Sequence, residues 1–338
     1  LKGAGEGGTN AAGAAVAALD TPPVAIVVAV AVLLVSLIAA RPVVGAWLWL
    51  AIGPLIVGIA RGGSSIPLLR PNEALLLIAI AGVGLHCLWR FSRRETFLPK
   101  LGSIDAAVTL LMLTGSVAPL LLRYGRDLPV SQDDVLYAFV FAKYFVLFAL
   151  FRIAVRTEAD VATALRLALA SGAVVAVVAI LQVKGLFNVA GLLNAYYDAP
   201  FEATVGPIKL RATSTVASSF GLADMMAMCL AVVLAWLSYH GRPRALLIAA
   251  GALFFAGCVA AGSFSGFIGC AVVVFAIGII TRRMITLLAM LVPTGIVATA
   301  IFWPVIAARL DGFDSRLALP RSWIGRLDNL ERFFLPEL

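Results

Sequence analysis

Residues 245–281 read ALLIAAGALFFAGCVAAGSFSGFIGCAVVVFAIGIIT, and none of them carries a charge. As a single helix, which rises 1.5 Å per residue, this stretch would be roughly 55 Å long. Because the hydrocarbon core of a bilayer is about 30 Å thick, the stretch is too long for one span and long enough for two. We predict that the chain turns at Gly262–Gly266, where small residues permit a tight turn. A similar break is predicted at Arg41–Pro42, because proline interrupts a helix.

The rest of the chain shares this apolar character. Of its 338 residues, 62% are hydrophobic and 13% are charged, whereas soluble domains carry about 25% charged residues. The apolar runs are continuous rather than alternating, which favours helices over a membrane barrel. We therefore predict an all-α, polytopic integral membrane protein with about 10 transmembrane helices and with extracytoplasmic loop segments that contain short amphipathic helices. The predicted spans are Val24–Ala40, Val43–Ala60, Ala74–Trp89, Ile104–Leu122, Leu136–Val155, Leu165–Gln182, Ser218–Leu237, Leu246–Gly262, Ser265–Thr281 and Met284–Ala308.

The formal net charge of +8 indicates membrane topology rather than nucleic-acid binding, because the basic residues are scattered over short loops and form no basic face with interleaved aromatic side chains. Clusters of Lys and Arg mark cytoplasmic loops. They place residues 183–217 and 309–338 on the outer side of the cytoplasmic (inner) membrane of a bacterial-type cell. We predict a disordered tail at 1–23, a transmembrane domain at 24–308, and the start of an outer interfacial segment at 309–338.

The outer loop at 183–217 ends in a basic, hydroxyl-rich stretch directly before a span. Arg211 is followed by Thr213, Ser214 and Thr215. A guanidinium combined with hydroxyls and free N–H groups at a helix N-terminus is suited to a phosphate group. The alternative is that Arg211 only reaches the lipid headgroups at the membrane surface.

Two charged residues fall inside predicted spans. Lys143 lies in the middle of one, and Asp224 lies about one turn into another. An intramembrane charge costs about 2.5 kcal/mol or more and is by default a hypothesis of a functional site. The two side chains are candidates for an ion pair, and the alternatives are a purely structural pair or a residue that lies at the membrane interface rather than within its span.

The segment at 309–338 is rich in arginine. Within it Trp323, Leu327, Leu330 and Phe334 recur every three to four residues, which predicts an amphipathic helix at the membrane interface. Arginines in such a segment are suited to binding a diphosphate bidentately, and contact with headgroups alone is the alternative. The arginines of this segment are Arg309, Arg316, Arg321, Arg326 and Arg332.

The order of these parts resembles a superfamily of membrane proteins, the O-antigen ligases and the bacterial polysaccharide (exopolysaccharide) polymerases. In that superfamily an Arg-Ala-Thr/Ser-Gly-Thr-type stretch opens a span after a long outer loop, and here residues 211–215 read RATST. A later turn usually reads Thr-Gly-Ser-Arg-Ser-Gly, and here residues 261–266 read AGSFSG, without the arginine. The next helices lead into an outer segment with Arg, Ser and Trp, matched here within residues 309–326. The resemblance covers roughly residues 70–338.

This resemblance implies a glycosyltransferase that works at the outer face of the membrane without a metal or another cofactor. Its substrate would be a glycan on a polyprenyl diphosphate, and its products a longer polysaccharide and a released lipid diphosphate. Its partners would be membrane lipids and other polysaccharide export or assembly proteins, with no nucleic acid. The chain has no cluster of Cys and His that would support a metal site.

The same resemblance assigns roles to residues. Arg211 and Arg321 would bind the diphosphate. The supporting residues would be Arg309, Arg316, Arg326, Ser214, Thr215, Lys143, Ser263 and Trp323. Ligases of the superfamily use a histidine on the outer loop, and this chain has none there. We therefore expect the catalytic base either in sequence beyond Leu338 or among the acids Asp224, Glu202 and Asp198.

Two other classes of function fit the same pattern. A transporter or flippase of a lipid-linked or anionic substrate would also have many spans, an intramembrane ion pair and basic groups for a phosphate. It is expected to show broken helices at corresponding positions of two halves. A non-catalytic assembly protein is the third class, and it would tolerate substitution of the outer arginines.

Overall fold

The computed structural model describes residues 24–59, 70–96, 99–197, 211–240, 245–310, 324, 327–328 and 330–334. The regular structure in these ranges is helical, apart from one isolated antiparallel bridge between Ile59 and Tyr197. Among the described residues, seven helices are long and apolar enough to cross a membrane. The predicted all-α class and multi-pass membrane character are confirmed. The predicted number of about 10 spans is not established, because three of those spans form helices of only 17, 14 and 17 residues.

Each predicted span coincides with a helix or a helix pair, with its ends shifted by a few residues. A π-helical turn at Leu113–Val117 joins α4 to α5, just before Pro119, which cannot donate a helical hydrogen bond. The helices are α1 (Val24–Ala40), α2 (Val43–Ile56), α3 (Pro71–Ser92), α4 (Ser103–Met112), α5 (Ala118–Gly125), α6 (Gln132–Ala154), α7 (Glu158–Lys184), α8 (Val189–Tyr196), α9 (Ser219–His240), α10 (Ala245–Ala261), α11 (Phe264–Thr281), α12 (Met284–Ile301) and α13 (Trp303–Leu310).

Both predicted breaks are confirmed. The chain leaves helical conformation at Arg41–Pro42 between α1 and α2, and at Gly262–Ser263 between α10 and α11. Gly262 has a φ of +57°, a left-handed conformation that glycine adopts without steric cost. A Cβ at this position would also lie 2.8 Å from Val305 Cγ1. The turn therefore requires glycine both for its backbone and for the close approach of α13.

One prediction about the end of a span is wrong. The predicted span Met284–Ala308 is broken at Phe302, so that α12 ends at Ile301 and α13 begins at Trp303. Pro304 stands at the second position of α13, where a missing N–H costs no helical hydrogen bond. The predicted outer loop at 183–217 begins at the end of α7, which continues to Lys184, and it contains the short helix α8.

The helices form two compact units. The first unit comprises Leu1–Leu50 and Ser64–Ala164, and the second comprises Ala51–Gly63 and Leu165–Leu338. In the first unit α3 packs against α1 and α6. Its buried core consists of Ile38, Ala46, Leu76, Ala79, Val83, Leu150 and Ala154.

The second unit is built around α9, which packs against both α10 and α11. A Cβ on Gly266 of α11 would lie 2.5 Å from the Cβ of Ala223, so the two helices cross at very short range. The Sγ atoms of Cys258 and Cys270 lie 3.3 Å apart in the same core. This packing fixes the N-terminal end of α9, which directly follows the segment that contains Arg211. Other fully buried side chains of this core are Leu222, Met226, Leu230, Val233 and Phe254.

Candidate functional site

The RATST stretch forms a buried, non-helical segment of the second unit. Ala212, Thr213, Ser214 and Thr215 are all buried, and only one short 3-10 turn, Ser214–Val216, interrupts the irregular backbone. Ser214 has a φ of 51°, which is uncommon for a residue with a side chain. A buried irregular backbone requires partners for its N–H and C=O groups, above all inside a membrane.

Gln182, near the end of α7, supplies these partners. Its Oε1 accepts hydrogen bonds from the N–H groups of Thr213 (3.0 Å) and Ser214 (2.9 Å). Its Nε2 donates to Thr213 Oγ1 at 3.2 Å. One side chain thus holds two consecutive residues of the segment. The sequence pattern did not identify this residue, although an amide at the end of an apolar run is a signal of such a role.

The hydroxyls that were predicted to bind phosphate have partners within the protein. Ser214 Oγ donates to the Val175 carbonyl at 2.8 Å, and Thr215 Oγ1 donates to the Pro54 carbonyl at 2.9 Å. Both side chains are almost fully buried. In the structure these hydroxyls therefore position the segment, and direct contact with a phosphate stays a prediction.

Tyr197 anchors the same region from another side. Its hydroxyl donates to the Leu55 carbonyl at 2.8 Å, next to the Pro54 carbonyl that binds Thr215. Carbonyl groups in the last turn of a helix lack helical partners, so Tyr197 and Thr215 together satisfy the end of α2. Burial raises the pKa of the Tyr197 hydroxyl, which keeps it protonated and donating near neutral pH.

Arg211 joins the segment to the turn between α10 and α11. Its Nε donates to the Ala261 carbonyl at 3.2 Å, and its Cζ lies 5.2 Å from the centre of the Phe220 ring. Beside it, the Ala212 N–H donates to the Ala260 carbonyl at 3.0 Å. The structure thus brings together the two motifs, RATST and AGSFSG, that are fifty residues apart in sequence. The guanidinium is half-buried and fixed in place by a carbonyl and a ring.

Ser263 and Ser265 continue this site on the α10–α11 turn. Ser263 is fully buried, and its Oγ lies 2.8 Å from the Oγ of Ser265, which is exposed. Ser263 was predicted to support the site, and the structure places it two residues after the carbonyl that binds Arg211.

Asp224 lies on the exposed face of α9 that begins at Phe220. Phe220 is 45% exposed and Asp224 is also exposed. Residues four apart on a helix lie on the same face, one turn from each other. Asp224 is therefore an accessible carboxylate one turn below the ring that contacts Arg211, and it is the only one of the three predicted candidate bases that lies among the described residues.

Most of the other predicted site residues lie outside the part of the chain that the structure describes. Val305 of α13 closely approaches Gly262, and Arg309 follows four residues later in the same helix. The side chain of Arg309 lies outside the part of the chain that the structure describes. The same is true of Arg316, Arg321, Trp323, Arg326, Glu202 and Asp198.

Lys143 belongs to the first unit, where it has a carboxylate neighbour that the sequence did not indicate, and its pairing with Asp224 stays a prediction. Its Nζ lies 3.5 Å from Glu73 Oε1. Glu73 stands in the first turn of α3, where it also accepts a hydrogen bond from the Arg70 N–H at 3.2 Å. The sequence pattern missed Glu73 because it lies just outside the predicted span Ala74–Trp89.

The second unit offers a fixed cation, an exposed carboxylate and an exposed hydroxyl close together. Such an arrangement can bind an anionic group at Arg211 and transfer a proton at Asp224. Comparison of the chain with protein-family models, with curated proteins and with solved structures finds no match. The functional assignment therefore depends on this geometry and on the two short motifs that the geometry brings together.

Proposed function

We propose that the protein is a membrane glycosyltransferase that polymerises or ligates glycan units carried on a polyprenyl diphosphate, at the outer face of the cytoplasmic membrane. The observation that carries this proposal is the contact of Arg211 with the α10–α11 turn. A polar framework of Gln182, Ser214 and Thr215 fixes the segment that bears Arg211. Preorganised cations of this kind are effective where phosphate charge develops in a transition state.

The proposed reaction needs few protein groups, because a diphosphate is already a good leaving group. An acceptor sugar hydroxyl attacks the anomeric carbon of the donor glycan, a new C–O bond forms, and the bond from the anomeric carbon to the diphosphate oxygen breaks. Arg211 stabilises the charge that develops on the diphosphate. We assign the outer arginines Arg309, Arg316, Arg321 and Arg326 to the same diphosphate.

The proton of the acceptor hydroxyl must pass to a base. Asp224 is the first candidate among the described residues, because it is exposed on the helix face that carries Phe220. Glu202 and Asp198 are the other candidates. Asp224→Asn distinguishes these cases. The rate of polymer formation is expected to fall if Asp224 is the base and to stay unchanged if another residue is the base.

The decisive experiment replaces Arg211 with alanine in membranes supplied with a lipid-linked glycan. Polymer formation is expected to fall about 100-fold or more, the effect of removing one preorganised donor from a transition state. Arg211→Lys is expected to recover only part of the rate, because lysine keeps the charge but not the bidentate geometry. Arg283→Ala is the matched control, since Arg283 is an exposed arginine on another turn of the same unit. Full polymer formation by Arg211→Ala would contradict the proposal.

A flippase for lipid-linked glycans is the second candidate function. The ion pair between Lys143 and Glu73 favours it, because paired charges inside spans are typical of transport pathways. This function predicts that lipid-linked units accumulate on the inner leaflet when Lys143 is replaced. The glycosyltransferase predicts instead that these units reach the outer leaflet and remain there without being polymerised when Arg211 is replaced.

A further inference from the structure

An apolar groove runs along α11 and α12 in the second unit. Its volume is about 710 Å³, within the range of roughly 300–1,000 Å³ that is usual for ligand sites. On α12 its lining extends from Leu288 to Ala300, a distance of about 18 Å along the helix axis. Thr299 contributes the single hydroxyl among the described lining residues. The dimensions and the lining suit a hydrocarbon chain.

The groove is open along its side. Val292 and Ile296 are lining residues of α12, and they are 52% and 66% exposed. Phe275 of α11, also a lining residue, is 53% exposed. A chain can therefore enter the groove sideways from the bilayer without a change in the helices.

One end of the groove carries a cation held on α12. Thr299 and Ala300 line this end, and the next residue, Ile301, accepts a hydrogen bond from Lys184 Nζ at 2.7 Å. The same Nζ lies 5.1 Å from the centre of the Phe302 ring. A lysine in this place also complements the partial negative charge at the C-terminus of α12.

The second cation at this end is Arg211. Phe267 lines the groove on α11, about one turn after the Ala261–Ser263 turn that binds Arg211. A Cβ on Gly262 would lie 3.5 Å from Arg211 Cγ and 2.8 Å from Val305 Cγ1. Arg211 and Lys184 thus both lie at the junction of α12 and α13. We call this junction, with Lys184, Arg211 and Gly262, the cationic end of the groove.

We infer that the groove binds the prenyl chain of the lipid-linked donor, with the donor's diphosphate at the cationic end. The identity of the headgroup depends on the proposed function, whereas the position of the chain comes from the groove itself. Charge complementarity supports this occupant, because a diphosphate carries more negative charge than a phospholipid headgroup and two cations are held at this end. Phe255, Phe267 and Phe275 offer ring faces and edges to the branched methyl groups of an isoprenoid.

Photo-cross-linking tests this assignment directly. Benzoylphenylalanine is placed at Ile296, inside the groove, in full-length protein reconstituted in nanodiscs of phospholipid containing polyprenyl diphosphate. Ile285 is the matched control, because it is an isoleucine of the same helix that is 85% exposed and does not line the groove. Mass spectrometry is expected to find polyprenyl adducts at Ile296, enriched at least tenfold over Ile285. Phospholipid adducts alone at Ile296 would overturn the inference.

A second variant fills the groove. A Cβ on Gly295 would lie 3.6 Å from the nearest atom of Phe255, which is an ordinary contact, so Gly295→Leu is expected to keep the helices in place while its longer side chain occupies the groove. This variant should reduce the polyprenyl adduct at Ile296 at least tenfold. An unchanged adduct would also overturn the inference.

The cross-linking experiment tests the groove and the polymer assay tests the proposed reaction, so either assignment can be contradicted without the other. Polyprenyl adducts at Ile296 without any polymer formation would support the groove as the site of the prenyl chain and contradict the proposed reaction. Polymer formation with only phospholipid at Ile296 would keep the proposed reaction and remove the groove as the site of the prenyl chain.

Discussion

Lys143 and Arg152 in the first unit are held in a different way from Lys184 and Arg211 in the second. In the first unit, Arg152 Nε lies 2.9 Å from Asp105 Oδ1, and Lys143 Nζ lies 3.5 Å from Glu73 Oε1. In the second unit, Lys184 and Arg211 donate to main-chain carbonyls at 2.7 and 3.2 Å and lie near aromatic rings.

This difference has a functional consequence. A carboxylate partner forms an ion pair with a cation, whereas a carbonyl oxygen or a ring orients the cation through its partial negative charge. The first unit therefore uses the cations Arg152 and Lys143 to join its own helices. The second unit holds Lys184 and Arg211 as oriented cations, and these are the cations on which the proposed diphosphate site depends.

The largest effect is expected when the framework around Arg211 is removed. In Gln182→Leu, the N–H groups of Thr213 and Ser214 lose their acceptor inside a buried segment. We expect the free energy of unfolding to fall by about 3 kcal/mol in total, because a buried unsatisfied group costs about 1–3 kcal/mol. Glycan transfer is expected to fall about 100-fold in the folded fraction, since small displacements of a catalytic group are costly.

Thermal unfolding in detergent and polymer formation in membranes measure these two effects. Gln182→Glu keeps acceptor oxygens and is expected to recover most of the stability. Gln132→Leu replaces an exposed glutamine at the start of α6 and serves as the matched control. If Gln182→Leu unfolds at the same temperature as the native chain, Gln182 does not hold the segment.

The next effect concerns the turn that contacts Arg211. Gly262→Ala places a Cβ at a φ of +57° and 2.8 Å from Val305 Cγ1. We expect a loss of about 2 kcal/mol in unfolding free energy from backbone strain and crowding. Gly84→Ala in α3 is the control, because an added Cβ there meets nothing within 4 Å. Equal unfolding temperatures of the two variants would refute the requirement for glycine at position 262.

A smaller effect is expected in the first unit. Lys143→Met leaves Glu73 without its cation. The free energy of unfolding is expected to fall by roughly 1 kcal/mol, because both side chains are partly exposed. Glycan transfer is expected to remain unchanged, and adding Glu73→Gln should restore stability. Loss of lipid-linked units from the outer leaflet in a well-folded Lys143→Met protein would favour the flippase instead.

The helical class and the breaks in the chain could be predicted from local features of the sequence. These are the length of the apolar runs, the absence of charge within them, and the positions of proline and glycine. The turn at Gly262 is an example: an uncharged run too long for one span must turn somewhere, and the small residues mark the place. The break at Phe302 was missed because no charge marks it and Pro304 is compatible with the start of a new helix.

The site was predictable only in part, for a different reason. Arg211, Ser214 and Thr215 stand out by residue type, but the partners that fix them come from distant helices. Gln182 and Pro54 reach the segment, and Tyr197 binds the neighbouring Leu55 carbonyl, through contacts that no local pattern encodes. For the same reason the contact of Lys143 with Glu73, at 3.5 Å, was missed: it depends on which helices pack together, and a single sequence does not specify that.

The smallest effect tests the anchor at the end of α2. Tyr197→Phe removes the hydrogen bond to the Leu55 carbonyl and should cost about 1 kcal/mol, whereas Tyr196→Phe, at the exposed neighbouring residue, should cost nothing measurable. Because burial raises the pKa of Tyr197 above its ordinary value of 10.0, the unfolded chain loses this proton first as the pH rises. The stabilisation is therefore fully present below about pH 10 and is lost above it. Unfolding temperatures of the native chain and of Tyr197→Phe are measured from pH 7 to 11, and the two temperatures are expected to converge only at the alkaline end. If they are already equal at pH 8, the buried phenol is not the anchor.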